Sequence, residues 1–466
     1  MKFPVKSLAV LCALILFFAC RKESFTTSQD ALLRTSVDSL HFDTVFTTTG
    51  STSQFIKIIN DNDQAIRIAS VRLGGGAASP FRINVDGIPG PEVTGAEVGA
   101  NDSIYIYVTV SIDPNAASLP FIVQDSIQIS YNGNTRYVQL DAYGQNANFM
   151  RDRTITGSET WNNNLPYVIL GHLTIDTNAT LTINKSVQVH IHGDAPFIVH
   201  GTLLVNGEHY DSTRVVFTGD RLDEPYRDFP ASYPGLIFSS ASKNNVLNYA
   251  VIKNAYQGIL AIDPSPGTKI TLNETIIENA YDAGILGVNT SITARNVLIS
   301  NCGTNIFILK GGTYNFTHCT VAAFSNAFIQ HRDPLFVMTN YIRQGGVLTT
   351  SPLNATFTNC IFWGESGGIV EEEVVVAREG SDPFAVNFSN VLWRLPNALA
   401  ALNVSGNDIR LDPQFDSINT GSRFYDFRLR AGSPAIDKGS NTGVSSDLDG
   451  APRPTGLPDL GAYERQ

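Results

Sequence analysis

The chain has 466 residues, more than the roughly 100–200 of a single domain, so two or three domains are expected. At 43% hydrophobic it can bury a sizeable core, which excludes wholesale disorder, and only 16% of its residues are charged. The formal net charge of −11, with no basic run to neutralise phosphates, excludes nucleic acid as a partner.

Residues 1–19 read as an export leader, with Lys2 and Lys6 ahead of an apolar stretch from Leu8 to Phe18 and a small Ala19 before Cys20. Eleven apolar residues are too few to span a bilayer as a helix. Loss of Lys2 and Lys6 with the leader takes the net charge to −13. The run Leu16-Phe17-Phe18-Ala19-Cys20 resembles a bacterial lipobox, with Phe17 where Leu is usual. That resemblance implies a lipid anchor on Cys20, with outer-membrane lipid as its partner, and a flexible tether over residues 20–34. Arg21-Lys22-Glu23-Ser24 resembles the signal that sends lipoproteins of Bacteroidetes to the cell surface, which implies an outer-membrane lipoprotein facing the exterior. Cys302, Cys319 and Cys360 are odd in number and lie in apolar strand-like contexts, so buried thiols are expected rather than disulfides or zinc ligands.

Residues 35–146 carry short alternating strands broken by turn residues. Phe55-Ile56-Lys57-Ile58-Ile59 is followed by Asn60-Asp61-Asn62-Asp63, then come Ile104 to Val110, Ser126 to Ser130 and Tyr137 to Leu140. Strands at such intervals without a helical period predict a β-sandwich. The segments Ile59-Asn60-Asp61, Phe81-Arg82-Ile83, Val108 to Pro114 and Leu140-Asp141-Ala142-Tyr143-Gly144 resemble Ig-like domains of the ASPM, SPD-2 and hydin type. The resemblance implies a spacer or adaptor.

Residues 154–430 contain a repeat. Six segments superpose, beginning at Leu247, Leu272, Ala294, Phe316, Phe357 and Phe388, and their fourth residues are spaced 25, 22, 22, 41 and 31 apart. The shorter intervals fit one coil of a parallel β-helix, and the longer ones predict a loop insertion or an extra coil. Alternation sends the first, fourth and sixth positions inward, where coils about 4.8 Å apart stack like on like. After three of the segments Asn254, Asn279 and Asn301 are expected to turn the corner, because Asn tolerates left-handed backbone. This stretch resembles the right-handed parallel β-helix repeat proteins, so the fold class is all-β: an N-terminal Ig-like β-sandwich followed by a right-handed parallel β-helix.

Residues 431–466 hold Ser433-Pro434-Ala435-Ile436-Asp437, Asp447-Leu448-Asp449-Gly450-Ala451-Pro452-Arg453 and Asp459-Leu460-Gly461-Ala462-Tyr463-Glu464, which resemble the C-terminal choice-of-anchor Q region of bacterial surface β-helices. Two readings are open for Asp447, Asp449, Asp459 and Glu464: oxygen ligands for calcium, the one cofactor the sequence suggests, or part of a polar cap closing the open end of the repeat array.

Chemistry is sparse. His190 and His192 are two apart on an outward strand face, and with His200 they could hold a metal, but a solvated face is the expectation. No carboxylate set of a glycoside hydrolase and no basic residue beside a calcium cluster is legible. Glu371-Glu372-Glu373 is expected on a solvated loop, and Arg332 and Arg343 have nothing to single them out. No catalytic residue is assigned, and the chain leans away from being an enzyme. Asp followed by Ser or Thr and an apolar residue or Thr resembles a Bacteroidetes O-glycan acceptor, which makes Ser39, Thr44, Ser103, Ser126, Ser212 and Ser417 candidates. The expected function is a non-catalytic surface binding or adhesion module for a polysaccharide or a surface protein, neutral glycans foremost. Tyr256, Tyr281, Tyr314 and Trp363 are its candidate sugar contacts. The alternatives are a polysaccharide lyase or glycoside hydrolase and a structural envelope protein.

Overall fold

The computed structural model describes residues 24–115, 120–365, 369–396, 402–454 and 456–466. Cys20 and residues 1–19, read above as a leader, lie outside them. The chain divides into two compact units at Asn146/Ala147.

The first unit is a β-sandwich of two five-stranded sheets. One sheet runs in the order Leu33–Thr35, Gln54–Asn60, Asp102–Val110, Phe81–Val85, Ile88–Gly90. The other runs Ser39–Phe46, Asn134–Gln145, Phe121–Tyr131, Ser70–Leu73, Glu92–Thr94. Period-two alternation sends Ile56, Ile58, Ile106, Val108, Ile127 and Ile129 into the core between them. Pairing is antiparallel except that Ser39–Phe46 lies parallel to Asn134–Gln145.

The second unit is a parallel β-helix, whose rungs run from Asn148–Ile155 to Asn403–Ile409 in one continuous set of parallel pairings. Its register is the one the repeat predicts: Leu247 pairs with Leu272, then Ala294, Phe316, Phe357 and Phe388. All six fourth positions, Ala250, Thr275, Val297, Cys319, Cys360 and Val391, are fully buried. The sixth positions Ile252, Ile277, Ile299, Val321, Phe362 and Trp393 join the same core. Because Phe316 pairs directly with Phe357, the long interval is a loop insertion without an extra coil, and it carries the hairpin Tyr341–Gln344/Val347–Thr350. The three cysteines are free and buried, and burial raises the Cys302 thiol to about 12.

The coil turns at corners of left-handed backbone: Asp263, Asn289 and Lys310 mark one ladder, with φ of 60°, 48° and 60°, and there are two more. One is the expected ladder Asn254, Asn279, Asn301, with φ of 65°, 54° and 52°. The other falls on the third position of each repeat, at Tyr249, Glu274, Asn296, His318, Asn359 and Asn390, with φ between 47° and 57°. Four of these six are Asn or His, residue types that enter this region at modest cost.

The C-terminal segment departs from the expected end cap. It runs back along the flank at the third-position corner: Lys438 O accepts from Asn407 Nδ2, Ser440 O from Asn359, Ser446 O from Asn296 and Leu448 O from Arg214. The hairpin Phe415–Asn419/Phe424–Leu429 belongs with this strap rather than with the coils, since Phe415, Phe427, Leu429, Leu448, Leu460 and Ala462 form one apolar cluster with outward Leu298, Ile361, Trp363 and Leu392. The outward fifth positions of the repeats are apolar except Thr320, whose Oγ1 accepts from Ala462 N of the strap, and covering them removes from water a face that no end cap would reach.

Candidate functional site

The strap shows what the motif-like carboxylates do. Asp447 accepts from the backbone N–H groups of Asp449, Ala451 and Glu464, at 2.8–2.9 Å. Asp459 accepts from those of Asp437 and Arg465. Glu464 meets Arg453 Nη1 at 2.7 Å, and Asp449 meets Arg428 Nη2 at 2.7 Å. Arg453 is fully buried and also donates to Gly461 O and to Asn296 Oδ1 on the coil. Burial raises the pKa of Asp447, Asp459 and Glu464 and lowers that of Arg453. The cation among these carboxylates is thus a guanidinium of the chain. Among the described residues no group of three or more His, Cys, Asp or Glu is placed to hold a metal ion.

Other sequence candidates are dispersed or covered. His190 is buried, contrary to the solvated face expected: its rung neighbours Val168 and Thr218 are buried too, and desolvation lowers its pKa to about 4. His192 Nδ1 pairs with Asp220 at 2.6 Å and His200 Nδ1 with Ser239 Oγ at 2.7 Å, so the three do not converge. Glu373 also departs from the solvated loop. It is fully buried, 3.0 Å from His331 Nε2 and 3.3 Å from Arg394 Nη1, because the chain turns it inward with Val374 while Glu371 and Glu372 stay exposed. Tyr314 and Trp363 are core and strap-interface residues, 1% and 7% exposed, and are not available to a ligand. Arg343 pairs with Glu379, and Arg332 bonds Gln330.

One open site lies at the Asn254/Asn279/Asn301 corner, smaller than a cleft of about 440 Å³ lined by Gln330, His331, Arg332 and Glu365. The corner pocket, of about 200 Å³, is lined by Asp228, Lys253, Glu278, Asn301, Asn326, Arg423 and neighbours. Lys253 and Glu278 are rung partners at the outward position just before the corner Asn, and form its floor. Asp228, on the loop after Pro225, pairs with Arg423 Nη2 at 2.9 Å, and Arg423 lies 4.6 Å from the Phe328 ring centroid, which packs against Phe229. The Asn254 amide donates to Arg227 O, and that of Asn279 to Asp228 O and Asn254 Oδ1. Asn301, 6% exposed, accepts from Phe324 N, but its own amide nitrogen has no partner among the described residues. The Glu278 carboxylate likewise accepts no hydrogen bond among them, and burial raises its pKa against the opposing pull of Lys253. Two residues past the corner, Tyr256 and Tyr281 stack across coils at 5.9 Å and 26°, 46% and 55% exposed. Gln257 and Asp282 bond beside them at 2.7 Å.

Sequence reasoning finds Tyr256 and Tyr281 but misses Asp228, Lys253, Glu278 and Arg423. A signal exists for two of them: Lys253 and Glu278 put charge on successive coils at the outward position before an Asn corner. Asp228 and Arg423 come from loops outside the repeat, which its periodicity cannot place.

No protein-family model matches the chain, and no curated protein is similar to it. Among solved structures it is similar to a family 123 glycoside hydrolase from Clostridium perfringens, at 12% identity and a TM-score of 0.19, over 27% of this chain and 26% of that one. The chain thus spans about a quarter of that hydrolase's length. It is also similar to the catalytic unit of a thermostable GH87 α-1,3-glucanase from Streptomyces thermodiastaticus, at 12% identity and a TM-score of 0.20, over 76% of this chain and 88% of that one. Scores this low establish no common architecture, and the fold rests on the rung register.

Proposed function

We propose that the protein is a lipid-anchored cell-surface module whose β-helix binds neutral glycans without cleaving them. The observation that carries this reading is a stacked, exposed tyrosine pair beside a charge-balanced polar pocket: Asp228 and Glu278 face Lys253 and Arg423. Sugar rings present C–H faces to aromatic rings and hydroxyls to hydrogen-bonding groups. The Asn301 amide and the Glu278 carboxylate supply an unused donor and acceptor. With no net charge the pocket does not attract an acidic polymer, and a chain at −11 repels one. In this reading Cys20 carries the lipid, as in Bacteroidetes surface lipoproteins, the Ig-like domain is a spacer, and the choice-of-anchor Q-like segment is the strap.

The test is a glycan array on the soluble form starting after Ser24, with products checked by mass spectrometry. Tyr256→Ala/Tyr281→Ala is expected to weaken binding about tenfold or more while leaving the melting temperature unchanged. Parent-like binding by that variant, or tight binding of a protein with no glycan bound, overturns the reading. Unchanged palmitate incorporation in Cys20→Ala moves the anchor elsewhere.

One observation favours a second reading, a glycoside hydrolase. The pocket holds two carboxylates in unlike surroundings: Glu278, whose pKa burial raises, and Asp228, paired with Arg423 at 2.9 Å, and a glycoside hydrolase draws its acid and base from two carboxylates. Release of reducing sugars by the parent and its loss in Glu278→Gln selects this reading.

A further inference from the structure

We propose that one outward face of the sandwich is a second carbohydrate site, for a glycan ending in an acidic sugar. Gln54–Asn60 and Asp102–Val110 are interior strands of their sheet, each paired on both sides. Since alternation buries Ile56, Ile58, Ile106 and Val108, it turns Phe55, Lys57, Tyr105 and Tyr107 outward. Phe55 and Tyr107 are register partners, 52% and 46% exposed. The Tyr105 ring lies 5.4 Å from Phe55 and 5.9 Å from Tyr107, the latter pair within 14° of parallel. The two phenol hydroxyls have no hydrogen-bond partner among the described residues.

The charges around these rings lean positive, with Asp86, exposed in the turn after Phe81–Val85 and bonded through its N–H to Tyr105 O, as the acidic neighbour. Lys57 Nζ sits 5.0 Å from the Tyr105 centroid and forms no ion pair among the described residues. Arg82, one strand over and opposite Thr109, donates only to the carbonyls of Ser79 and Phe81. Arg34, at the sheet edge, is neutralised by Asp61 at 3.0 Å. The face therefore offers an aromatic platform with two uncompensated cations on an otherwise acidic protein.

The occupant follows from that chemistry. Saturated backbone on both strands leaves nothing for an added peptide strand to bond. The face also lacks the aliphatic centre of a protein interface, since Ile59 is its one aliphatic residue on these two strands. A chain at −11 repels a polyanion such as single-stranded nucleic acid, whereas an isolated negative group is held locally by Lys57 and Arg82. A saccharide whose terminal residue is a uronic or sialic acid meets these terms. Its ring stacks on Tyr107 and Phe55, and its carboxylate faces the cations.

The test titrates the chain lacking its leader with 3′-sialyllactose, a glucuronate-terminated disaccharide, lactose and an oligodeoxythymidine. At least one acidic saccharide is expected to bind more tightly than lactose, with an affinity that falls as salt rises. Phe55→Ala/Tyr107→Ala should weaken that binding about tenfold or more. Lys57→Gln should weaken it several-fold and flatten the salt dependence, and Tyr256→Ala/Tyr281→Ala should leave it unchanged. Absence of acidic-saccharide binding, its survival in Phe55→Ala/Tyr107→Ala, or tighter binding of the oligodeoxythymidine overturns the proposal. Loss of neutral-glycan binding in the β-helix variant alone bears only on the function proposed for the β-helix.

Discussion

Two of the corner ladders along the β-helix are built from the same left-handed turn and differ in where their side chains go. On the strap side, Asn296, His318, Asn359 and Asn390 bond Ser446, Thr442 and Ser440 of the C-terminal segment. On the pocket side, Asn254 and Asn279 bond the loop that roofs them, and the sequence of bonds stops at Asn301 with a donor left over. One local device thus serves stability where intramolecular partners use up its polar groups, and offers a site where one partner is missing. Each of the following experiments separates those roles.

The largest effect is expected from Arg453→Met. The substitution removes the guanidinium that ties Glu464 and Gly461 of the strap to Asn296 of the coil, and leaves a buried carboxylate unpaired. Losing one partner of a buried ion pair costs about 3–5 kcal/mol, so the β-helix should melt earlier while glycan affinity below the transition stays at the parent value. A strap that tolerates the change would mean its apolar cluster alone holds it.

Next is His318, whose pKa burial and the nearby Arg453 lower from 6.5 to about 3. A folded-state pKa below the unfolded one means the neutral ring contributes stability that is complete above pH 6.5 and is lost as pH falls toward about 3. Each tenfold difference in proton affinity between the folded and unfolded chain is worth about 1.4 kcal/mol, so the loss amounts to a few kcal/mol. Asp447, Asp459 and Glu464 under the same strap are shifted upward and work in the opposite direction, so the comparison must be made against a variant. His318→Asn supplies it, because Asn stands at this corner in three other coils. Urea midpoints from pH 7 to 4 should fall more steeply for the parent than for the variant, and parallel curves would exclude the histidine.

These contrasts show how much the sequence disclosed. The repeat was legible down to its register because coil stacking makes each inward position meet its own copy, from Leu247 to Phe388. The Asn254 corner was legible because Asn declares left-handed backbone, while the third-position corner was hidden by Tyr249 and Glu274, which declare nothing. The strap's motif was visible, but its docking was not, since the face it covers consists of ordinary alternating residues such as Leu298 and Ile361. Of the pocket, only what sits on the repeat could be inferred. The burial of Glu373 was hidden because its partners His331 and Arg394 come from segments 42 and 21 residues away.

A smaller pair of effects comes from one substitution made in both ladders. Asn359→Asp loses the amide that donates to Ser440 O and His318 and places a buried charge against carbonyl oxygens. It should cost about 1–3 kcal/mol in urea unfolding without changing affinity. Asn301→Asp keeps the oxygen that accepts from Phe324 N and replaces the unpartnered N–H groups by a carboxylate oxygen in the pocket that holds Lys253 and Glu278. It should cost less stability than Asn359→Asp, since no hydrogen bond is lost, and weaken glycan binding several-fold. Equal destabilisation by both would remove the distinction between the ladders.

The smallest expected effect is a near absence of change with salt. Two exposed charges a Debye length apart lose most of their interaction between low and high ionic strength, so a pocket that attracted its ligand by net charge would lose affinity steeply. In the flank pocket Asp228 is paired with Arg423, and Lys253 stands beside Glu278 as its rung partner, so a neutral ligand meets opposed dipoles rather than a field. Raising sodium chloride from about 0.05 to 0.5 M should therefore shift the neutral-glycan affinity by less than about twofold. The acidic-saccharide affinity of the Lys57 face should fall several-fold over the same range. If both sites respond alike, the charge balance assigned to the pocket is wrong, and Glu278 or Lys253 engages the ligand as an unshielded ion.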